Sequence, residues 1–154
     1  MLTVKFKFVA QGLSDLEKQS LIPQQKTKGA AGFDIASSHR QDLLLHAGDR
    51  YLVSTGIAIS LPPHFEGQVR SRSGLAAQHG IIVLNAPGTI DADYRGEIKV
   101  ILANMSHEPF KVSFGMRIAQ LVIAPVASPE LIEAVTLEPS ERGEAGFGST
   151  GLTN

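Results

Sequence analysis

Val4, Phe6 and Phe8 alternate with Lys5 and Lys7 near the start of the chain. A period of two places the apolar side chains on one face of a strand and the lysines on the other. Short runs rich in Val and Ile recur at Tyr51–Leu61, Glu66–Arg70, Glu97–Ala103 and Arg117–Ala124. Gly and Pro punctuate the chain between them, so each run reads as a brief strand. Only Ser71–Gln78 argues for helix, with Leu75, Ala76 and Ala77 inside it and Gly80 beyond as a stop. Gly12–Ile22 has some helical character, but Pro23 follows it, and a loop is expected there. Many short strands with frequent turns predict an all-β barrel or sandwich carrying one short helix.

Length and composition narrow this further. A chain of 154 residues is one comfortable domain, able to bury roughly 68–70% of its unfolded surface. It contains no cysteine, which excludes disulfides and cysteine-held zinc. The formal net charge is −1, with no basic stripe, so nucleic acid is not an expected partner. No apolar run approaches the ~18 residues of a membrane span, and the first ten residues lack the pattern of a signal peptide. The expectation is a soluble, cytoplasmic protein with no membrane partner.

Four segments carry candidate chemistry. Arg72-Ser73-Gly74 opens the predicted helix, where free N–H groups and a guanidinium fork suit phosphate oxygens; an N-capping serine beside a surface arginine is the plainer reading. In Gly88–Gly96, Asp93-Tyr94-Arg95-Gly96 looks like a hairpin tip. Asp91 and Asp93 share a face if the stretch is a strand, which suits metal binding, general-base work or simply a polar hairpin. Ala31–Asp34 sets a carboxylate beside Gly32, as a ligand site or an ordinary turn would. After Pro139 the chain becomes polar and glycine-rich, with Gly143, Gly146, Gly148 and Gly151. Such a strip is a frayed end, or a lid whose lone Phe147 caps a flat ligand. There is no Walker A lysine, no His-Glu-x-x-His and no Gly-x-Ser-x-Gly.

In order and spacing these segments resemble the five motifs of the trimeric dUTPases: Ala31–Asp34, Arg72–Ala76, Asn85–Glu97, Gly115–Gln120 and Arg142–Gly151. The resemblance covers nearly the whole chain. It implies a jelly-roll-like β-barrel over residues 1–139, assembled as a homotrimer with active sites at subunit junctions. Residues 140–154 would then be a flexible tail that closes over the site. The implied activity is hydrolysis of dUTP to dUMP and pyrophosphate, which keeps uracil out of DNA and supplies dUMP for dTMP synthesis.

Residue by residue, Asp91 resembles the carboxylate that activates the attacking water. Tyr94 resembles the ring beneath the deoxyribose. Asn85, with backbone groups near Thr89, Ile90 and Lys99, resembles the uracil pocket. Arg72, Ser73, Gly74 and Gln120 resemble phosphate contacts. Arg142, Ser149 and Thr150 resemble γ-phosphate contacts, with Phe147 and its neighbour Gly148 over the base. Asp34 resembles the residue that reaches Mg2+ through water.

The chain departs from the family pattern at Met116, where an acid is usual, at Ser71, where Pro is usual, and at Ala145, where Gly is usual. None of these removes a proposed catalytic group. Two other readings compete. A dCTP deaminase shares the fold but carries a second serine where Gly74 stands; a non-catalytic nucleotide-binding protein would not need Asp91.

Overall fold

Apolar side chains from strands throughout the chain meet in one core. Its fully buried members include Ile35, Val53, Ile57, Ile98, Leu102 and Ile118. Burying a side chain of this size contributes roughly 1.5–3 kcal/mol, and the strands close around the cluster as a jelly-roll-like barrel. The computed structural model describes residues 2–146. Phe147, Gly148, Ser149 and Thr150, assigned to the tail, lie outside the described residues.

The strands in chain order are β1 (Lys5–Phe8), β2 (Gly32–Ala36), β3 (Leu43–Leu45), β4 (Arg50–Ser54), β5 (Ile57–Ser60), β6 (Phe65–Arg70), β7 (Ile81–Val83), β8 (Gly88–Ile90), β9 (Lys99–Asn104), β10 (Phe110–Val112) and β11 (Arg117–Pro125). All described pairings are antiparallel. The largest sheet has the order β2-β11-β6-β8 and the next β4-β9-β7; β1 pairs with β5 and β10 with β3. The single run expected over Tyr51–Leu61 is two strands, because the chain turns at Gly56 with φ +71°.

Two helices are present where one was expected: α1 (Asp15–Leu21) and α2 (Ser73–His79). The loop expected over Gly12–Ile22 is therefore corrected. Ser14 and Glu17 form a reciprocal capping box, with Ser14 N–H donating to Glu17 Oε2 at 2.8 Å and Glu17 N–H to Ser14 Oγ at 3.3 Å. That satisfies donors a short helix otherwise leaves open. Leu21 is buried at its end, and Pro23 stops the helix without preventing it. Arg40 ties α1 to the body, donating to Glu17 Oε1 and to the Gly12 carbonyl, both at 2.8 Å. α2 ends at Gly80, in the left-handed region at φ +64°, with its N–H returned to Ala76. A Cβ there would also press on the Ser106 backbone at 2.8 Å.

The last strand ends at Pro125, and residues 126–146 carry no helix or strand. In that stretch Leu131, Ile132, Val135 and Leu137 are exposed to between 78 and 103%. No described helix is long and apolar enough to cross a membrane.

The Glu17 carboxyl is held below the ordinary carboxylate range, chiefly by the Ser14 backbone N–H, then by the Ser14 hydroxyl and Arg40. A depressed carboxylate stabilises the fold above its unfolded pKa, and the contribution is lost as pH falls through the folded one. Ser14→Ala should therefore lower the melting temperature by about 2–4 °C at neutral pH. The difference should shrink in acid below the carboxylate range, as thermal unfolding followed at both pH values will show.

Candidate functional site

The site grows from β11. Gln120 on this strand pairs with Asp34 of β2 on one side and with Arg70 of β6 on the other. Directly paired residues share a face, so Asp34 and Gln120 rise together at one end of the sheet. The chain leaving β6 then supplies Ser71 and Arg72 beside them. Gly32 makes room, since a Cβ on it would lie 2.5 Å from Gln120 Oε1. The Gln120 amide passes over this glycine and donates to the Ser71 carbonyl at 2.9 Å. The Ser71 hydroxyl accepts from the Val83 N–H at 2.8 Å, which ties this turn to β7.

Asp34 stands between two guanidinium groups. Arg117 Nη1 lies 2.7 Å from Oδ2, and Arg72 Nε lies 3.3 Å from Oδ1. Arg72 Nη1 also donates to the Arg117 carbonyl at 2.7 Å. A register shift in β11 makes this possible. Arg117 pairs with Ala36 and Ala119 with Ile35, which leaves Ile118 as the extra residue of a bulge. Strict alternation from Gln120 would turn Arg117 to the other face. The bulge sends Ile118 and Ala119 into the core together and brings Arg117 onto the Asp34 face. Met116, the departure noted in the fourth motif, packs against the core and accepts from Ser37 N–H at 2.9 Å. The guanidinium next to it has Asp34 as its acidic partner instead.

α2 begins beside this cluster. Its N-cap is Arg72, in extended conformation, with no side-chain cap. Ser73 is thus the first helical residue and not the capping serine of the plainer reading, and it is exposed together with Gly74.

A second group of residues lies between β8 and β9. The hairpin tip expected at Asp93–Gly96 is corrected, because β8 pairs with β6 while β9 pairs with β4 and β7. The connection crosses from one sheet to the other. Asp91 and Asp93 do not alternate on a strand either: β8 stops at Ile90 and a turn follows, closed by Tyr94 N–H to the Asp91 carbonyl at 3.2 Å. Arg95 Nη1 braces it by donating to the carbonyls of Ala92 and Tyr94 at 2.7 and 2.8 Å.

The Tyr94 ring folds back over Gly96, which has no side chain to obstruct it, and its hydroxyl donates to the Glu97 carbonyl at 2.9 Å. The ring remains 44% exposed. Glu97 in turn accepts from Gly56 N–H at 2.8 Å and lies 3.8 Å from Lys99 Nζ. Asp91 is exposed, and its carboxylate has no ion pair or side-chain hydrogen bond among the described residues. Asn85 is exposed with its amide over buried Gly88; Thr89 is exposed and Ile90 half-buried.

The structure thus brings Asp34, Arg72, Ser73 and Gln120 together and adds Arg117, which sequence reasoning left out. Arg117 stands inside the fourth motif, Gly115–Gln120, but between Met116 and the buried Ile118 it is a single polar position in an apolar run, with nothing local to show the bulge. Arg142 is not brought to this cluster by any described contact; its Nε donates to the Ala145 carbonyl at 2.8 Å. Among the described residues no three His, Cys, Asp or Glu side chains converge as a metal cage.

Comparison with known proteins gives a consistent result. The dUTPase family model matches residues 18–151. The deoxyuridine 5'-triphosphate nucleotidohydrolase of Beijerinckia indica subsp. indica is 58% identical over 132 residues, covering 84% of this chain and 82% of that one. The enzyme of the same name from Nautilia profundicola is 52% identical over 139 residues, covering 90% and 96%. Among solved structures, the dUTPase of Staphylococcus bacteriophage 80alpha with dUPNHPP aligns with a TM-score of 0.83 at 28% identity, over 97% of this chain and 99% of that one.

Proposed function

The chain belongs to the dUTPase family, and on that premise we propose that it hydrolyses dUTP through a water positioned by Asp91. It is an enzyme of nucleotide metabolism, a dUTP nucleotidohydrolase. The products are dUMP and pyrophosphate, so the reaction keeps uracil out of DNA and supplies dUMP for dTMP synthesis.

The observation that carries this mechanism is the exposed Asp91 carboxylate, without an ion pair or side-chain hydrogen bond among the described residues, in the same turn as the half-open Tyr94. A carboxylate is a weak base, so it does most by orienting the water and accepting its proton as attack proceeds. The water attacks the α-phosphorus, the bond to the bridging oxygen breaks, and pyrophosphate leaves. Arg72, Ser73, Gly74 and Gln120 hold the phosphates. Tyr94 lies under the deoxyribose and leaves no space for a 2′-hydroxyl. Asn85 reads uracil with backbone groups of Thr89, Ile90 and Lys99. The edge position of β8 supports this, because a strand paired on one side only has backbone donors and acceptors to offer. The 80alpha enzyme was solved with a dUTP analogue, which supports the same substrate here.

The residues fit a magnesium ion that arrives with the nucleotide. Magnesium keeps several waters and takes phosphate oxygens, so it needs no cage of protein ligands. Asp34 would hold it through water with lone pairs left over from the two arginines. When bound, the ion supplies neutralising charge on the phosphate oxygens.

The active unit in this reading is a homotrimer with a barrel over residues 1–139. The tail, residues 140–154, closes over bound nucleotide through Arg142, Phe147, Gly148, Ser149 and Thr150. Two observations support association. Leu131, Ile132, Val135 and Leu137 have no cover among the described residues of one chain, and an apolar groove opens between Val4, Phe6, Phe33, Ile59 and Ile123.

Asp91→Asn should bind a dUTP analogue nearly as well as the parent while single-turnover hydrolysis falls by at least about a hundredfold, within the usual range for a lost general base. Hydrolysis within a few-fold of the parent would remove Asp91 from the chemistry. Tyr94→Ala should lower the ratio of kcat/KM for dUTP over UTP, read by pyrophosphate release from each; an unchanged ratio would take the ring out of the sugar pocket. Two inactive variants, Asp91→Asn and a deletion of residues 140–154, should regain activity when refolded together. Cyclic symmetry gives a mixed trimer about one site with an intact Asp91 from one chain and a tail from another. Mixed trimers confirmed by mass that stay inactive would overturn the shared site.

A further inference from the structure

The Asp34 cluster contains two cations and one anion. Asp34 is the only acidic group within ion-pair distance of Arg72 or Arg117 among the described residues, and each of its oxygens faces one guanidinium. Arg70, at the end of β6, donates to the neutral Gln68 Oε1 and not to Asp34, so it takes nothing from the Asp34 charge. The side chain before Arg117 is Met116, which brings no charge. Within the cluster of Arg72, Arg117 and Asp34, one positive charge is therefore left uncompensated. It is spread over guanidiniums whose side chains are 25% exposed at Arg72 and 45% exposed at Arg117, while Asp34 is 16% exposed. The anion lies deeper and the cations nearer solvent, which is the order a polyphosphate site requires.

We propose that Arg117 sets the charge of the phosphate site: by sharing the Asp34 carboxylate it leaves Arg72 free to serve a polyphosphate. The inference rests on the dUTPase reading for its natural ligand and on the geometry of the cluster for its physics. Without Arg117, Asp34 would neutralise Arg72 alone, and this cluster would meet the nucleotide with no net charge. With both arginines present, the pull of Asp34 on Arg72 is divided. Arg72 has further N–H donors beyond Nε and the Nη1 proton given to the Arg117 carbonyl, and these are what the phosphates would take. Arg117 acts through Arg72 and the field of the site, so it is a positioning residue, not a catalytic one.

Charge counting gives an order of binding that a structural role for the same ion pairs does not. Counting only these three side chains, the parent site carries +1, Arg117→Gln carries 0, Asp34→Asn carries +2, and the double variant returns to +1. Equilibrium binding of a non-hydrolysable dUTP analogue to the four proteins, with magnesium and with chelator, reads the order directly. Arg117→Gln should weaken binding about tenfold, a coupling of the size found between contacting groups. Adding Asp34→Asn should bring binding back to within about threefold of the parent in chelator, where Asp34 has no magnesium to serve, and less fully with magnesium. The loss should shrink as salt is raised.

Arg117→Lys keeps the charge and should bind within about threefold of the parent, so the proposal is also tested without neutralising the position. In chelator, a double variant as weak as Arg117→Gln, or a lysine variant equally weak, would overturn the charge-setting role. Inorganic tripolyphosphate titrated into the same proteins keeps the two readings apart. The predicted order with tripolyphosphate, but no binding of the dUTP analogue by the parent, would sink the dUTPase reading and leave the charge-setting role standing. Analogue binding without the order would do the reverse.

Discussion

Strand β11 is paired along both edges, and most of the site follows from that. Gln120 on this strand is fixed opposite Asp34 by one ladder and opposite Arg70 by the other. A slip of one residue in either register would turn Gln120 or Asp34 to the opposite face. The burial of Leu121 and Val69 in the core opposes such a slip, because it would expose them. The hydrophobic core thus sets the register, and the register delivers Asp34, Gln120 and the Ser71-Arg72 turn to one place. The same strand contains the bulge that adds Arg117. A nine-residue strand that serves both as centre of the largest sheet and as scaffold of a charged cluster leaves little freedom to either.

The groups proposed to do the chemistry sit at the surface of one chain. Asp91, Tyr94, Asn85 and Thr89 are exposed, and they project from a crossover between sheets and from the edge strand β8. The positions are nonetheless well fixed. The crossover is held by Tyr94 to the Glu97 carbonyl, Arg95 to two carbonyls of its own turn, Glu97 to the Gly56 N–H, and Thr55 Oγ1 to the Ile98 carbonyl at 2.6 Å. Fixed groups lying open to solvent suit a site that is completed by something else, whether substrate, tail or another copy. The uncovered apolar residues after Pro125 point the same way. The functional reading and the assembly reading therefore support one another without resting on the same atoms.

Much of the fold was legible because its signals are local. The alternation in Val4–Phe8, the Val- and Ile-rich runs and the stop at Gly80 are properties of neighbouring residues, and each marks an element found in the structure. α1 was legible too, in the Ser14-x-x-Glu17 box, but Pro23 was given more weight than it has. A proline ends a helix without preventing the turns before it. The hairpin expected at Asp93–Gly96 failed for a different reason. Apolar runs on either side of a polar turn look alike whether the strands pair with each other or with separate sheets, and only the partners β6, β4 and β7 settle which.

By itself the sequence determined the strand-rich architecture and the family. Both are encoded in short segments whose residue types and order stand on the chain whatever it folds into. It also determined which side chains are present to do chemistry, Asp91, Tyr94, Arg72 and Gln120 among them. Only the tertiary structure decided that Asp34 faces two arginines, that one of them is Arg117, and that Asp91 is left uncommitted. Asp34 and Arg117 stand 83 positions apart. Their meeting depends on a strand register and a bulge that are chosen by burying Ile118 and Ala119 together, and the whole core, not the local sequence, makes that choice.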